Sequence, residues 1–263
     1  MVAQKDPKDD AAYFGWTAAG SPAAPAISVV VPMFNEAGAA ASLVGEIAAA
    51  LAAFNHEIIV VDDSSEDETV EVLKATRQDH ANLRILRHQK NAGQSRAIRT
   101  GVIAARAPVI ATLDGDGQND PIDIAALFEA LKDSKGDVAM VAGDRRERRD
   151  SARKRWASTF ANGLRRRLLN DGARDTGCGL KVFYREAYLR LPFFDHMHRY
   201  LPALMSREGY KLVFMPVSHR PRVYGKSKYT NIGRLVVAVR DLLGVMWLLS
   251  RAKSPESISE QED

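Results

Sequence analysis

Cysteine is almost missing from this chain: Cys178 is the single one among 263 residues. One thiol cannot build a disulfide framework, so the sequence reads as a protein of a reducing compartment. Long hydrophobic runs are missing as well. A membrane span needs roughly 20 uncharged apolar residues. The best approximation, LVVAVRDLLGVMWLLS from Leu235 to Ser250, is interrupted by Arg240 and Asp241. The opening MVAQKDPKDDAAYFGW has no basic stretch leading into an apolar core, so no secretory signal is expected. Internal repeats and long linkers are also lacking. These absences leave a soluble or peripheral protein as the expectation. The hydrophobic content of 46% is enough for a full core. A formal net charge of +4 favours anionic partners without naming one.

Residues 1–26, rich in Ala, Pro, Asp and Lys without periodicity, read as a flexible leader. From Ile27 onward, short β-branched runs alternate with helical patterns. ISVVVP, EIIVVDD, LRILRH, PVIATLD and DVAMVAG read as strands. Between them lie helical segments at Ala39 to Phe54, Glu68 to Arg77, Ser95 to Arg106 and Ile122 to Leu131. This alternation predicts an α/β domain over residues 27–230 with a mainly parallel, covered sheet. Two further strands, GLKVFY and YKLVFMPV, are expected with a helix between them. A C-terminal apolar helix is expected over 231–251, then a polar tail over 252–263.

In open parallel sheets, ligands bind beyond the carboxyl ends of the strands. The first strand is followed by Asn35 and Glu36, the second by Asp62 and Asp63, the third by KNAGQSR and the fourth by DGDGQ. In that last segment Asp114 and Asp116 sit two apart, so on extended chain their side chains point the same way. Gln118 repeats the spacing with a neutral oxygen. Such hard oxygen donors suit Mg²⁺ or Mn²⁺, which share their coordination with substrate phosphates. Asp120, just before Pro121, reads instead as a cap for the next helix. The bland reading of Asp62, Asp63 and Glu36 is helix-end chemistry. The sharper one is contact with a nucleobase or ribose.

VVVPMFNE, IIVVDDSSEDET, NAGQSRAIRTG, TLDGDGQNDP and YGKSKYTN, in this order, resemble a family 2 glycosyltransferase of GT-A fold. Within that family the chain is most similar to the dolichyl-phosphate mannose synthase group, which makes polyprenyl-phosphate sugars. The resemblance implies a Rossmann-like, mainly parallel sheet flanked by helices, a nucleotide-sugar donor, a divalent metal (Mg²⁺ or Mn²⁺), inversion at the anomeric carbon and a polyprenyl-phosphate acceptor. By it, Pro32, Glu36, Asp62 and Asp63 contact the nucleoside, and Asp114, Asp116 and Gln118 hold the metal and donor diphosphate. Asp116, Arg145, Arg222 and Lys228 take catalytic roles, while Arg155, Asp175 and Ser227 serve phosphate or acceptor binding. The chain departs from the family pattern in four places. Ser64 stands where DDGS has glycine, Asp144 replaces the serine of a GS pair, Arg146 stands in place of the aromatic that usually follows the arginine, and Lys181 replaces the arginine of D-x-T-S-G-F-R.

Sugar transfer must stabilise oxocarbenium character and the charge on the departing nucleoside diphosphate. A metal with Arg222 and Lys228 would serve the second need. A sugar-hydroxyl acceptor needs a general base. A phosphate monoester, with a second pKa near ~6, is already nucleophilic at neutral pH. Arg145 and Arg155 would position it through their bidentate fork. His219 reads as a strand-end histidine rather than a base, and Cys178 as a small buried residue.

Ten Lys or Arg fall between Arg145 and Arg167, beside a helical face carrying Trp156 and Phe160. That pairing of charge and aromatics suits a helix in an anionic membrane interface more than nucleic acid, which is not an expected partner. With the Ile232 to Arg251 segment, it places the protein peripherally at the cytoplasmic face of a membrane. Two alternatives remain: a transferase for a soluble or glycan hydroxyl, and a basic nucleic-acid-binding or regulatory α/β protein.

Overall fold

In the computed structural model the described residues are 24–134, 136, 138–145, 168–169, 171–173, 175–221 and 231–253, without the side chains of 231–236. Arg155, Trp156, Phe160, Arg222, Ser227 and Lys228 lie outside them. The first apolar run forms β1 (Ile27–Met33), buried along its whole length. Next come α1 (Ala37–Ala50), β2 (His56–Asp62), α2 (Thr69–Thr76), β3 (Leu83–Arg87), α3 (Gln94–Ala104) and β4 (Val109–Thr112). The chain continues through α4 (Asp123–Asp133), β5 (Val138–Arg145), β6 (Lys181–Tyr184) and α5 (Arg185–Arg190). A 3-10 turn at Met197–Arg199, α6 (Leu201–Arg207), β7 (Lys211–Val217) and α7 (Asn231–Ser250) complete it.

The strands form one seven-stranded sheet in the order β3-β2-β1-β4-β6-β5-β7. It is mainly parallel, as expected; β6 runs antiparallel between β4 and β5. The two-residue period sends Ile27, Val29, Val31 and Met33 of β1 to one face, under α1, α2 and α4. Val30 faces the other core, built with α3, α5 and α6. One helix was expected between the last two strands, and two short ones are found. Pro192 is the reason: the residue before a proline is pushed out of helical geometry, and Leu191 is extended at ψ 144°.

α7 docks by one face and exposes another. Val245 is fully buried, with Leu242, Met246, Leu248 and Leu249 packed against the second core. Val239, Leu243 and Trp247, successive turns along the opposite side, are 50%, 61% and 63% exposed. Among the described residues, no helix is long and apolar enough to cross a membrane.

At the amino ends of the strands a buried acid locks the sheet. Glu57 accepts from the Ser28 hydroxyl at 2.7 Å, Arg84 at 2.8 Å and the Arg106 backbone N–H at 2.7 Å. Burial alone would raise its pKa, but these three donors together hold it below 4.5. A depressed folded pKa contributes stability that is present above the unfolded value and lost as pH falls through the folded one. Glu57→Ala strands Arg84, Ser28 and the Arg106 N–H, and should destabilise the fold by about 3 kcal/mol at pH 7. Denaturant titrations should show the gap from wild type closing below pH 4.5, where the native carboxylate protonates. An equal gap at pH 7 and pH 3 would contradict the assignment.

Candidate active site

The direction of strand progression reverses between β1 and β4, which opens a crevice beyond their carboxyl ends. The turns that follow β1 and β2 are bonded to each other there. Asn35 N–H donates to Ser65 Oγ at 2.8 Å, Glu66 N–H to Asn35 Oδ1 at 2.7 Å, and Glu36 N–H to Thr69 Oγ1 at 2.9 Å. Asn35 and Ser64 adopt φ values of 55° and 68°. Asparagine tolerates this left-handed region, whereas serine pays roughly 1 kcal/mol for it. Ser64 thus holds a backbone conformation that glycine adopts without strain.

The two acids at the end of β2 organise this edge. Asp62, fully buried, accepts from the Ser65 N–H and pairs with Arg87 Nε at 3.2 Å. The Asp63 carboxylate accepts from the Ala92 and Gly93 N–H groups at 2.9 and 2.8 Å and bonds His88 Nδ1 at 2.7 Å. It thereby fixes the loop that opens α3. Glu36 sits just before α1 without its side chain capping a backbone N–H. Pro32 is buried in β1, and its carbonyl crowds the first glycine of the acidic loop: a Cβ on Gly115 would sit 2.7 Å from Pro32 O.

Beyond β4, Asp114 and Asp116 lie close enough to interact. Burial, then the Asp116 charge, raises the Asp114 pKa, while Lys181 and Arg145 pull it back. Gln94, the first residue of α3, donates to Asp114 Oδ1 at 2.7 Å. On the other side Gly179 presses against the carboxylate; a Cβ there would come within 2.5 Å of Asp114 Cγ and both oxygens. The Gln118 N–H donates to Asp116 Oδ1 at 3.1 Å, folding the loop back on itself. Asp120 acts as the cap it was expected to be, accepting from the Ile122 N–H at 3.2 Å. It also binds Arg220 at 2.7 Å, and the Arg220 N–H donates to Gln118 O at 2.9 Å. The segment leading to Arg222 is thereby stitched to the acidic loop.

This donor set fits a hard divalent cation. Two mutually repelling carboxylates and a nearby amide provide oxygen ligands, and a cation relieves the like charge that raises Asp114. Among the described residues no three His, Cys, Asp or Glu side chains form a complete cage. Mg²⁺ and Mn²⁺ are commonly held by one or two carboxylates together with substrate phosphates.

Behind Asp114 lies a cavity of about 380 Å³ lined by Gln94, Asp175, Gly179, Lys181, His198 and Arg199, among others. Arg145 and Asp175, both predicted site residues, meet there as a bidentate pair at 2.5 and 2.9 Å. Burial works against the Arg145 charge, but Asp175 outweighs it and raises the guanidinium pKa. Lys181 is buried with its ammonium on the Cys178 carbonyl. Burial lowers its pKa, against the pull of Cys178, Asp114 and Asp175. Cys178 is fully buried, and burial pushes its thiol up. His219 lies outside this cavity, bridged to Asn119 at the end of β7.

His198 is the functional candidate that sequence reasoning missed. Its backbone N–H donates to Ser95 Oγ at 3.3 Å, and Ser95 Oγ lies 2.7 Å from its Nδ1. The two contacts with one hydroxyl tie both the ring and the backbone of His198 to the first turn of α3. Burial first, then the nearby Arg199 and Lys181 charges, holds its pKa well below 6.5, so the ring is neutral. A stack of Arg96 over Phe193, 3.8 Å from the ring centroid, helps pin this loop to α3.

An open sheet with acids and amides at its switch point, an Asp-x-Asp pair and a cavity behind it make up a GT-A fold. The chain belongs to glycosyl transferase family 2, whose family model matches residues 28–191; it is a glycosyltransferase. It is 35% identical over 235 residues to the dodecaprenyl-phosphate galacturonate synthase of Rhizobium johnstonii, covering 87% of this chain and 69% of that protein. It is 31% identical to the undecaprenyl-phosphate 4-deoxy-4-formamido-L-arabinose transferase of Edwardsiella ictaluri, covering 82% of this chain and 66% of that one. The chain thus spans about two thirds of the length of these relatives. Two solved structures share the fold. Glucosyl-3-phosphoglycerate synthase from Mycobacterium tuberculosis, in complex with Mn²⁺, UDP and glucosyl-3-phosphoglycerate, aligns with a TM-score of 0.64 at 20% identity. That alignment covers 89% of this chain and 82% of the other. A mannosyltransferase from Pyrobaculum calidifontis, with GDP-Man and Mn²⁺, gives 0.60 at 20% identity, covering 88% and 66%.

Proposed function

We propose that this protein transfers a hexose unit from a nucleotide sugar to a polyprenyl phosphate, with inversion and with Mg²⁺ or Mn²⁺ on Asp114, Asp116 and Gln118. The observation that carries the reading is how the cavity's proton-handling groups are committed. Asp175 is spent on Arg145, Asp114 on Gln94 and the metal platform, and His198 is engaged with Ser95 through Nδ1. Such a site is ill suited to deprotonate a hydroxyl. A phosphate monoester needs no base, because its oxygen is already anionic. The names of the two relatives, both polyprenyl-phosphate enzymes, point the same way.

In this reading Pro32, Glu36 and the turn held by Asp62 and Asp63 shape the nucleoside pocket. The bound cation supplies charge stabilisation for the departing diphosphate. Gln94 and Gly179 fix the Asp114 carboxylate, and the Arg145–Asp175 pair holds the loop that carries Gly179. Arg155, Arg222, Ser227 and Lys228 are assigned to phosphate groups on the basis of sequence. The test is incubation with UDP- and GDP-sugars, undecaprenyl phosphate and Mn²⁺, followed by mass spectrometry of the lipid fraction. A sugar-phosphate lipid is expected. Its absence, with sugar appearing on a soluble hydroxyl acceptor, would overturn the reading.

The exposed face of α7 supports peripheral contact with an anionic membrane, where such an acceptor resides. Val239, Leu243 and Trp247 line one side, and Arg240, Arg251 and Lys253 are exposed beside them. Leu243→Glu should reduce co-sedimentation with phosphatidylglycerol vesicles several-fold, since it places a charge in the apolar stripe. Unchanged binding would remove α7 from the membrane contact.

A further inference from the structure

Two arginines sit two apart in SHRPRVYGKSK, and their roles differ. Arg222 is assigned to phosphate by sequence. Arg220 is already occupied. Its Nε and Nη2 clasp Asp120 at 3.1 and 2.7 Å, and its Nη1 pairs with Glu46 of α1. A phosphate approaching this guanidinium would meet two carboxylates. The cluster also contributes little to overall stability, because Arg220 and Glu46 are each 41% exposed and solvent screens such pairs. A bidentate fork of this kind specifies geometry, and geometry is what remains for it to supply.

What the fork fixes is the end of the acidic loop. Just past β7 the backbone runs alongside that loop. Asn119 and His219 form an antiparallel bridge, and the Arg220 N–H donates to Gln118 O at 2.9 Å. So short a ladder holds poorly by itself, and the side-chain clasp on Asp120 closes its end. Gln118 then passes the constraint on, because its own N–H donates to Asp116 Oδ1 at 3.1 Å. Gly117, at φ 72°, permits the turn between those two residues. We propose that Arg220 is a positioning residue for the cation: the Glu46–Arg220–Asp120 brace holds Gln118 and Asp116 in ligating register. This rests on the metal-dependent, nucleotide-sugar reading given above. Groups that orient metal ligands without touching the metal commonly matter to its affinity as much as tenfold or more.

Calorimetry of UDP and GDP binding to the full chain, with Mn²⁺ and with EDTA, tests this without any sugar transfer. The metal's contribution is the ratio of the two Kd values. Arg220→Ala should cut that ratio about tenfold, leave the Kd in EDTA unchanged and barely move the melting temperature. Asp120→Asn keeps an oxygen for the Ile122 N–H and should lose most of the same ratio. The double variant should be no worse than Arg220→Ala, since both changes break one contact. Glu57→Ala is the structural control, expected to melt earlier with the ratio intact. An unchanged ratio in Arg220→Ala would overturn the proposal. So would equal weakening with and without Mn²⁺ alongside tighter binding by Asp120→Asn, which would make Arg220 a phosphate ligand. A wild type that gains nothing from Mn²⁺ with either nucleotide would overturn the metal reading and this proposal together, an outcome distinct from the other two.

Discussion

Asp116→Ala is expected to lower sugar transfer about a thousandfold while the protein stays folded. The carboxylate is half-buried, and its bond to the Gln118 N–H is local to the loop, so little of the core depends on it. Its electrostatic role is larger. Asp114 and Asp116 together form the anionic pair that would hold the cation, and Asp114 alone would hold it weakly. Losing several kcal/mol of charge stabilisation at the departing diphosphate corresponds to about three decades in rate. The check is turnover across a Mn²⁺ titration beside a thermal melt. A variant with near wild-type turnover and unchanged metal dependence would remove the acidic loop from the chemistry.

Gly179→Ala should cost about a hundredfold in turnover, although it adds one methyl group at a site that no sequence rule marks as catalytic. The new Cβ would lie 2.5 Å from three atoms of the Asp114 carboxylate, far inside van der Waals contact. Thr112 Oγ1 donates to Gly179 O at 2.9 Å and holds the glycine against β4, so the carboxylate is the part that yields. Displacing a catalytic group by about 1 Å typically costs two decades. Gly45→Ala is the control. It lies in α1 with open space around its Cα, and alanine there should be silent in activity and stabilise by about 1 kcal/mol. If both variants keep full turnover, the close approach at Gly179 has no catalytic meaning.

Much of this was legible in the chain. Alternating β-branched and helical runs carried the parallel sheet, and polar groups at successive strand ends carried the crevice. In the Asp114 to Asp120 segment, Asp114 lines the cavity and Asp120 accepts from the Ile122 N–H. Other features were beyond local pattern. The run KVFY reads as a strand in either direction, so its antiparallel insertion between β4 and β5 had no sequence signal. His198 sits in DHMHRY without periodicity, and the serine that holds its ring is 103 residues away. Asp63 suggested a nucleoside contact, but its tie to the Ala92 and Gly93 amides depends on two turns meeting in space.

The central claim is that this site delivers a sugar to a phosphate oxygen and needs no base to do so. The most direct measurement offers the enzyme undecaprenyl phosphate and undecaprenol in parallel, with one nucleotide sugar and Mn²⁺, between pH 6.5 and 9. The account predicts transfer to the phosphate, nearly flat with pH above the acceptor's second ionisation at about 6, and none to the alcohol. Transfer to undecaprenol at a comparable rate, rising with pH as a base ionises, would contradict it.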